Sequence, residues 1–449
     1  SRLIASMKGL VMFLPSTFQE MLLSFSTVMT TPTLNNLAIL LAGWVLTPRR
    51  TVTGMLQAAG VAGKRHHSAF HYVFASAAWS LDALGLVVAR LVLSMLPAEA
   101  TAFLALDDTL ARKRGLKIFG VGMHHDPLLS SRSKAIVNWG HNWVVLGILI
   151  EFPFRPGHWF CLPVLFRLYR NSKTVAREGG LKRTRPELAR ELVKTLCEAF
   201  PGRLFHLLAD SAYCGGSVLR HLPENCDQTG RLHMDAALYD LPSGVRTGAR
   251  GPMPKKGARR PSPRQMLKEE GRMIELAIYG RRERMRVVES KALWYGSAGN
   301  RPLSVVAVEP LSSGRKEQAF FSTRVDAVSE EMLAWYGRRW AIEVTFHDAK
   351  GYLGFEEPQG WSRKAVERTA PMAMLFYSLI VLWFARAGHE HVWFPPRPWY
   401  RQKAGIGFAD IMRTLRRQII EEKLVAPSSE GTVARVSLEP IIELAAWAA

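Results

Sequence analysis

The apolar and polar positions of the chain change their period several times, and each change marks a different kind of predicted element. Residues 1–98 contain apolar runs at helical spacing, such as Leu34–Leu46, which is followed by a proline and two arginines. Short apolar runs bounded by glycines or polar turns then predict strands. These runs are Ala102–Asp108, Leu116–Gly122, Trp143–Phe152 and Leu204–Asp210. An amphipathic helix, Pro186–Phe200, precedes the last of them, and this succession indicates a mixed α/β sheet.

A second group of strand-like segments lies between residues 225 and 310. It comprises Arg231–Leu241, Arg272–Gly280, Arg281–Tyr295 and Leu303–Pro310. From Ser329 the pattern is helical again and includes Ala365–Ala385 and Phe408–Leu424. We therefore expect five regions: a helical region 1–98, an α/β core divided into 99–224 and 311–388, a β-rich insertion 225–310, and a helical C-terminal region 389–449.

Two apolar stretches raise the question of targeting or a membrane. The first 18 residues combine two cations with an apolar run, but Gln19 and Glu20 follow and no A-x-A site is present, so we interpret them as mature sequence. Residues 370–387 contain Pro371 and Arg386 within about one membrane thickness. We expect a buried helix there and no membrane partner.

Charge favours a polyanion as partner. The chain has 59 Lys and Arg against 38 Asp and Glu, for a formal net charge of +21. Each neutralised phosphate releases counterions, so such a surplus predicts nucleic-acid binding; the alternative is a basic protein that merely repels itself. The four cysteines show no C-x-x-C spacing, which excludes a zinc ribbon and fits a reducing cytosol.

Two basic segments are candidate DNA contacts. Thr53–Ala59, the turn Gly60–Gly63 and a second predicted helix Lys64–Ala75, which opens with Lys64 and Arg65, resemble a helix-turn-helix; a packed helical hairpin is the alternative. The segment Pro242–Arg264 holds seven Lys and Arg residues and no acid, so it is either a mobile phosphate grip or a solvated linker. Its candidate DNA contacts are Lys255, Lys256, Arg259 and Arg260.

Acidic residues mark the candidate chemistry. Two predicted strands end in carboxylates, at Asp107 or Asp108 and at Asp210. At 100° per residue, Tyr336, Arg339, Glu343 and Lys350 lie at about 0°, 300°, 340° and 320° of one helix, which places a carboxylate, two cations and a phenol on one face. Phosphodiester transfer uses two divalent cations about 4 Å apart, held by carboxylates from different elements.

The helix has the spacing Tyr336-(2)-Arg339-(3)-Glu343-(6)-Lys350, which resembles the Y-(2)-R-(3)-E-(6)-K signature of bacterial insertion-sequence DDE transposases. Asp107-Asp108-Thr109 resembles the D-x-T block of RNase H-like nucleases, and residues 209–213 resemble the second acidic block loosely. The resemblance covers about residues 100–385. It implies an RNase H-like mixed sheet with flanking helices, interrupted by a β-rich insertion, together with a helical N-terminal DNA-binding domain and a helical C-terminal region.

The resemblance also implies roles for single residues. Asp107, Asp210 and Glu343 would hold two Mg²⁺ ions, for which Mn²⁺ could substitute, and Tyr336, Arg339 and Lys350 would contact DNA phosphates. Asp108 stays an alternative first ligand, although the D-x-T spacing favours Asp107.

Three further segments keep two interpretations each. Arg112, Lys113 and Arg114 either steer the phosphate backbone or form a solvated turn. Trp294 either stacks on a flipped base or packs in the core. The cluster from His124 to Asp126 is interpreted as a turn or a DNA-facing loop and not as a metal site.

These features predict a bacterial cut-and-paste transposase that acts at the nucleoid in the cytoplasm. It would bind terminal inverted repeats, cleave transposon ends and join their 3′-hydroxyls to target DNA, as a homodimer in a synaptic complex. The alternatives are a related nuclease without strand transfer and a domesticated protein that only binds DNA. RNA binding has no recognisable module to support it.

Overall fold

The computed structural model describes residues 14–131, 133–242, 253–278, 281–312, 314–392 and 405–425, together with Ile442 and Ala445. The expectations for residues 1–13, for the first half of the basic segment (243–252), and for 393–404 and most of 426–449 lie outside the described residues.

The described N-terminal part is helical, as the apolar spacing predicts. Its helices are α1 (Ser16–Leu23), α2 (Thr31–Leu46), α3 (Val52–Ala59), α4 (Ser68–Ala75) and α5 (Leu81–Leu93). The helix α3 ends at Ala59 and is capped by Gly60, whose φ of 73° is left-handed and therefore suits glycine. The expected second helix of this pair is shorter than predicted, because it begins at Ser68, so Lys64 and Arg65 lie in the preceding turn.

One mixed ten-stranded sheet forms the centre of the protein. Its strands are β1 (Ala102–Arg112), β2 (Gly122–His125), β3 (Val137–Glu151), β4 (Trp159–Tyr169), β5 (Phe205–Ala209), β6 (Cys226–Leu232), β7 (Arg272–Ile278), β8 (Arg281–Leu293), β9 (Pro302–Pro310) and β10 (Gln318–Ser322). The order is β2-β3-β1-β5-β6-β10-β9-β8-β7, and β4 pairs with β3 beside this path. Only the central neighbours β1, β5 and β6 run parallel; the other pairs are antiparallel.

The remaining helices cover the sheet and follow its strands. They are α6 (Ser172–Glu178), α7 (Arg185–Ala199), α8 (Gly216–Leu219), α9 (Pro263–Met266), α10 (Tyr295–Ala298), α11 (Ser329–Arg338), α12 (Ala341–Leu353), α13 (Arg363–Arg386) and α14 (Phe408–Val425). Neighbouring side chains of β1 point to opposite faces of the sheet. Phe103 packs against Trp335 of α11, whereas Asp108 contacts Arg185 of α7, so these helices lie on opposite faces.

The strands of the β-rich segment extend the same sheet. Through β10, which pairs with β6 and β9, the strands β7, β8 and β9 are joined to the central strands by continuous hydrogen bonding. The strands of residues 226–322 therefore belong to the same sheet as the strands of residues 102–209. The division of the chain into five regions remains a prediction from the sequence. The overall architecture is α/β with a large mixed sheet and flanking helices, as the sequence predicts, and it agrees with an RNase H-like fold.

Three strand predictions are wrong. Residues 116–121 form an irregular loop and not a strand, because Gly115 and Gly120 adopt positive φ values of 128° and 74°; Gly122 begins β2. The predicted strand Arg231–Leu241 ends early, since β6 closes at Leu232. The first strand does not end at Asp108 but continues to Arg112, paired along one side with β3.

The strand β4 has no counterpart among the predicted elements. Its run WFCLPVLFRLY contains Pro163, which lacks an amide hydrogen and is tolerated in a strand with an open side. β4 pairs with β3 alone and shows a register shift beside Leu146 and Gly147, opposite this proline.

The apolar helix α13 is long and apolar enough to cross a membrane by length and composition, but 89% of its most apolar window is buried inside the protein. Side chains of the N-terminal helices surround it, as in the packing of Phe18 against Phe376 at 6.1 Å between ring centroids. Its Arg368 donates hydrogen bonds to the carbonyls of Ala77 and Trp79, which ties α13 to the segment between α4 and α5. This is the packing of a core helix.

Candidate active site

The register of two parallel strands brings the first two acids together. β1 and β5 pair from Ala102 opposite Phe205 to Leu106 opposite Ala209. Asp107 and Asp210 are the next residues on each chain, so they lie side by side where this pairing stops, at about the 4.8 Å spacing of neighbouring strands. β1 continues along β3 beyond this point, and its other side opens toward α11 and α12.

Arg339, at the junction of α11 and α12, joins Asp107 to Glu343. One guanidinium nitrogen donates to Oδ2 of Asp107 at 2.8 Å and another donates to Oε1 of Glu343 at 2.8 Å. The Arg339 side chain is only 11% exposed, so this contact is formed largely out of water. Two carboxylates separated by more than 200 residues in sequence thus meet at one cation.

Burial gives Asp107 an unusual acidity. Desolvation by burial, together with the negative charges of Asp210 and Asp108, raises the pKa of its carboxyl to about 7, against the opposing effect of Arg339. Burial alone would lower the pKa of Arg339, but Tyr336, Asp107 and Glu343 hold it above its ordinary value. The site therefore has an excess of negative charge that a single arginine compensates only in part.

Asp108 points to the opposite face of β1. Its Oδ1 accepts a hydrogen bond from the Tyr213 hydroxyl at 2.5 Å, and its Oδ2 accepts from Asn142 at 2.8 Å and Arg185 at 2.9 Å. With three donors on the α7 side of the sheet, Asp108 belongs to a separate polar network. The structure thus separates the two adjacent acids that the sequence leaves ambiguous.

The expectation of a single helix for Tyr336–Lys350 is wrong. α11 ends at Arg338 and α12 begins at Ala341, and the junction has the tighter i→i+3 pattern, with Arg339 N–H bonded to Tyr336 O at 3.1 Å. Arg339 and Glu343 remain in contact across this turn.

The two outer positions of the predicted face lie in different surroundings. Tyr336 is only 7% exposed, and its ring lies 4.8 Å from that of Phe320. Lys350 donates to the carbonyl of Leu110 at 2.8 Å and lies 3.5 Å from Glu356, so it holds the end of β1.

The basic residues that follow the first acids are mostly engaged in structure. Arg112 forms an ion pair with Asp126 at 2.7 Å, and Lys113 donates to the carbonyls of Glu356 and Pro358 at 2.6 and 2.9 Å. Burial lowers the pKa of Lys113 to about 8, against the opposing charges of Glu356 and Glu357. Only Arg114 of the three is exposed. Arg112 and Lys113 therefore fasten β1 to neighbouring loops.

The His124–Asp126 cluster is also resolved. His124 and His125 form the end of β2, and Asp126, which is 1% exposed, binds Arg112 and Asn138. The interpretation as a turn or loop is therefore wrong for His124 and His125, whose backbone pairs with β3, whereas Asp126 directly precedes the turn that follows β2.

The N-terminal basic turn borders a cavity of about 430 Å³. Lys64 is exposed there, whereas Arg65 donates to Asn36 at 2.9 Å and lies over the ring of Phe70 at 5.7 Å. The turn is thus a basic surface that Arg65 attaches to α2 and α4.

The described half of the basic segment is ordered against neighbouring residues. Lys256 lies 3.7 Å from the centre of the Tyr239 ring, Arg259 donates to the hydroxyl of Tyr239 at 3.3 Å, and Arg260 pairs with Asp240 at 2.9 Å. Lys255 is exposed. The expectation of a mobile segment without a counter-charge is therefore wrong for Arg260.

Trp294 is half-buried and packs on Phe321, with 5.8 Å between ring centroids. This contact favours the core-packing interpretation of that tryptophan.

A cleft of about 940 Å³ opens beside Arg339, between the α11–α12 junction and the strands β6–β10. Its lining includes Trp159, Arg231, Tyr336, Arg338, Arg339 and Trp340. Five residues around the acids and the cleft were not predicted from the sequence: Arg338, Arg231, Tyr213, Asn142 and Arg185. Two of them could have been found: Arg338 directly precedes Arg339 of the helix signature, and Tyr213 belongs to the D-S-A-Y block that contains Asp210. Nothing in the local sequence marks the other three.

The donor set suits hard divalent cations. Among the residues that the structure describes, no three His, Cys, Asp or Glu side chains are grouped closely enough to hold one metal ion. Mg²⁺, however, needs only one or two carboxylates, because water and substrate phosphates complete its octahedron. Asp107 lies next to Asp210 by strand register and shares Arg339 with Glu343, so it belongs to two such carboxylate pairs.

Comparison with known proteins gives one family. No curated protein matches this chain. The family described as "DDE superfamily endonuclease" matches residues 25–294, which is more than half of the 449 residues. The matched range contains Asp107 and Asp210 and ends before Glu343, so the third acid rests on the geometry above. The protein therefore belongs to the DDE superfamily endonuclease family.

Proposed function

We propose that this protein is a DNA transposase that cleaves the ends of a mobile element and transfers their 3′-hydroxyls into target DNA. One observation carries the proposal: the Arg339 guanidinium binds Asp107 and Glu343 together, beside Asp210. The membership of the family implies a nuclease that acts on DNA. The helix signature that delivers Glu343 to the strand ends favours the transposase within that class.

The residues would divide the work as follows. Asp107 with Asp210, and Asp107 with Glu343, would hold two Mg²⁺ or Mn²⁺ ions. When bound, such a pair of ions activates the attacking oxygen and stabilises the leaving oxygen. Arg339 already lies between two of the acids, and its planar fork suits a phosphate as well as a carboxylate, so it can exchange one for the other when DNA arrives.

DNA would be held over a wider surface. The net charge of +21 supports a long phosphate footprint, and the exposed Lys64 and Lys255 are proposed DNA contacts at two separate places. We propose that the N-terminal helices bind the terminal inverted repeat, that two copies pair both ends in a synaptic complex, and that the reaction takes place on bacterial DNA in the cytoplasm.

The test is a cleavage assay on labelled DNA from the ends of the element, with and without Mg²⁺. The wild-type protein should cut only with the metal and should then produce joined products with a target plasmid. Asp210→Asn and Glu343→Gln should lose cleavage by several orders of magnitude while binding the ends with nearly unchanged affinity.

A matched pair of acids provides the control. Asp108→Asn changes the neighbouring carboxylate on the other face of the strand, and we expect it to retain metal-dependent cutting. Normal cutting by Glu343→Gln would refute the proposal. Cutting without joined products would leave a nuclease, and end binding without any cutting would leave a DNA-binding protein.

A further inference from the structure

Arg338 faces the cleft beside Arg339 from a fixed position. Its guanidinium carbon lies 4.2 Å from the centre of the Trp159 ring and 4.5 Å from that of Phe103. Two aromatic contacts on one guanidinium restrict its motion and leave its N–H edges available for an in-plane partner. The side chain is half-buried and lines the cleft.

This guanidinium has no hydrogen bond or ion pair with any residue in the described part of the chain. Glu151 is near enough to favour its charged form, but burial lowers the pKa of Arg338 more strongly. Other arginines of the same cleft are paired: Arg339 binds Asp107 and Glu343, and Arg315 binds Glu283. A half-buried cation without an ion pair is destabilising, because it has lost part of its hydration. Binding of an anion would offset this cost.

The location of Arg338 identifies the class of that anion. Arg338 precedes Arg339, which touches two of the three acids directly. Phe103, on which Arg338 packs, lies four residues before Asp107 on β1, which is about 13 Å along the strand. A DNA strand whose scissile phosphate reaches the acids would therefore bring a phosphate a few nucleotides from the cut toward Arg338. The exposed Arg231 on the opposite wall adds positive charge along that path. Guanidinium groups bind phosphate oxygens through two parallel hydrogen bonds, which suits a fixed, edge-exposed arginine.

We propose that Arg338 binds a backbone phosphate of the DNA strand that enters the active site, with Trp159 and Phe103 as the platform that positions it. The proposal rests on the proposed function for the identity of the anion as DNA. It adds a phosphate contact in the cleft that the helix signature does not contain.

The test measures DNA affinity and its salt dependence for Arg338→Gln, Arg338→Lys and Arg363→Gln. Arg363 is the matched control, because it also lies over an aromatic ring (Phe119, 5.5 Å) but on α13 and outside the lining of the cleft. The probe is a fluorescent DNA duplex taken from the region that flanks the gene. Binding is followed by anisotropy at several KCl concentrations without divalent metal.

Arg338→Gln should bind about tenfold more weakly, which is the loss of one charge-assisted hydrogen-bonded contact. The slope of log Kd against log salt should become flatter by about 0.9, the value of one phosphate. Arg338→Lys should keep the wild-type slope, and Arg363→Gln should keep both values. An unchanged slope in Arg338→Gln would overturn the proposal.

Two further measurements keep the outcomes separate. If Arg338→Gln does not fold by circular dichroism, Arg338→Met, whose apolar chain packs on the same rings, replaces it with the same expectation. Cleavage by the wild type with Mg²⁺ is measured in parallel. A wild type that cuts DNA with no change of slope in the variant refutes the phosphate contact alone. A wild type that never cuts, together with a flatter slope in the variant, refutes the transposase and supports the contact.

Discussion

The hydroxyl of Tyr213 donates a hydrogen bond to Oδ1 of Asp108 at 2.5 Å and thereby links the segment after β5 to the middle of β1. Tyr213 is 1% exposed and lies three residues after Asp210, while Asp108 directly follows Asp107. Each partner of this hydrogen bond is therefore next to, or close to, an acid of the site. We infer that the bond fixes the spacing between Asp107 and Asp210 from the opposite face of the sheet.

Tyr213→Phe tests this linkage. Removal of the hydroxyl should lower the free energy of unfolding by about 1 to 3 kcal/mol, because a buried carboxylate loses one of its donors. Metal-dependent cleavage should fall through a weaker response to Mg²⁺, since the two carboxylates are held less closely. Urea unfolding and cleavage rates at several Mg²⁺ concentrations measure the two effects. Wild-type Mg²⁺ dependence in a destabilised Tyr213→Phe protein would show that the bond serves stability alone.

Local sequence predicts the elements that carry the acids well. β5, α7, α13 and the central part of β1 follow from apolar runs and their periods, because each buries a continuous face in the core. The three acids themselves follow from motif spacing. The sequence predicts that the acids lie close together, but it does not predict the ion pair between Asp107 and Arg339. No local pattern specifies which side chains pair when they are far apart in the sequence.

The failures have physical causes of the same kind. Asp107 and Asp108 differ only by the face of β1 on which they lie, and the face is decided by α7 and α11, which pack from distant parts of the chain. Lys113 looks like an exposed cation in the sequence, but the carbonyls of Glu356 and Pro358 bury it. The break between α11 and α12 has only one trace in helix propensity, Gly337 in the last turn of α11; residues 338–341 include neither proline nor glycine.

Buried histidines predict a loss of stability in mild acid. His206 is fully buried and bonded to Thr229 at 2.8 Å; burial lowers its pKa from 6.5 to about 4, and the positive charges of Arg324 and Arg338 act in the same direction against that of Asp227. His141 has a similarly lowered pKa of about 4, mainly through burial. The unfolded chain takes up these protons first as the pH falls. The stability that these histidines contribute is therefore fully present above pH 6.5 and decreases as the pH falls from 6.5 toward 4.

Urea unfolding at pH 7.5 and at pH 5 measures this dependence. His206→Asn should be less stable than the wild type at pH 7.5, because it disturbs the bond with Thr229, and its further loss on acidification should be smaller. An identical pH dependence in both proteins would assign the acid sensitivity to other groups.

The two basic residues of the N-terminal turn should separate DNA binding from folding. Lys64→Ala should reduce affinity for the transposon end while changing stability by less than about 0.5 kcal/mol, since Lys64 is exposed. Arg65→Ala should cost about 1 to 2 kcal/mol of stability, because its hydrogen bond to Asn36 and its contact with Phe70 are lost. Anisotropy titrations and thermal melts measure the pair. Unchanged affinity in Lys64→Ala would remove this turn from the proposed DNA surface.

Arg339 and a divalent cation should compete for the same carboxylates. In the absence of metal, Arg339→Gln leaves Asp107 and Glu343 without their shared cation, so the protein should lose about 3 kcal/mol of stability. The loss is limited by Asp107, which can take up a proton because burial raises its pKa to about 7. Added MgCl₂ should then raise the Tm of Arg339→Gln more than that of the wild type, because the ion no longer displaces an arginine.

Arg363→Gln is the control, since it breaks another i,i+4 pair with a glutamate, Glu367, on the exposed side of α13. Equal Mg²⁺-induced shifts of Tm in the wild type, Arg339→Gln and Arg363→Gln would mean that the cation binds elsewhere and that Asp107 and Glu343 form only a structural ion pair with Arg339.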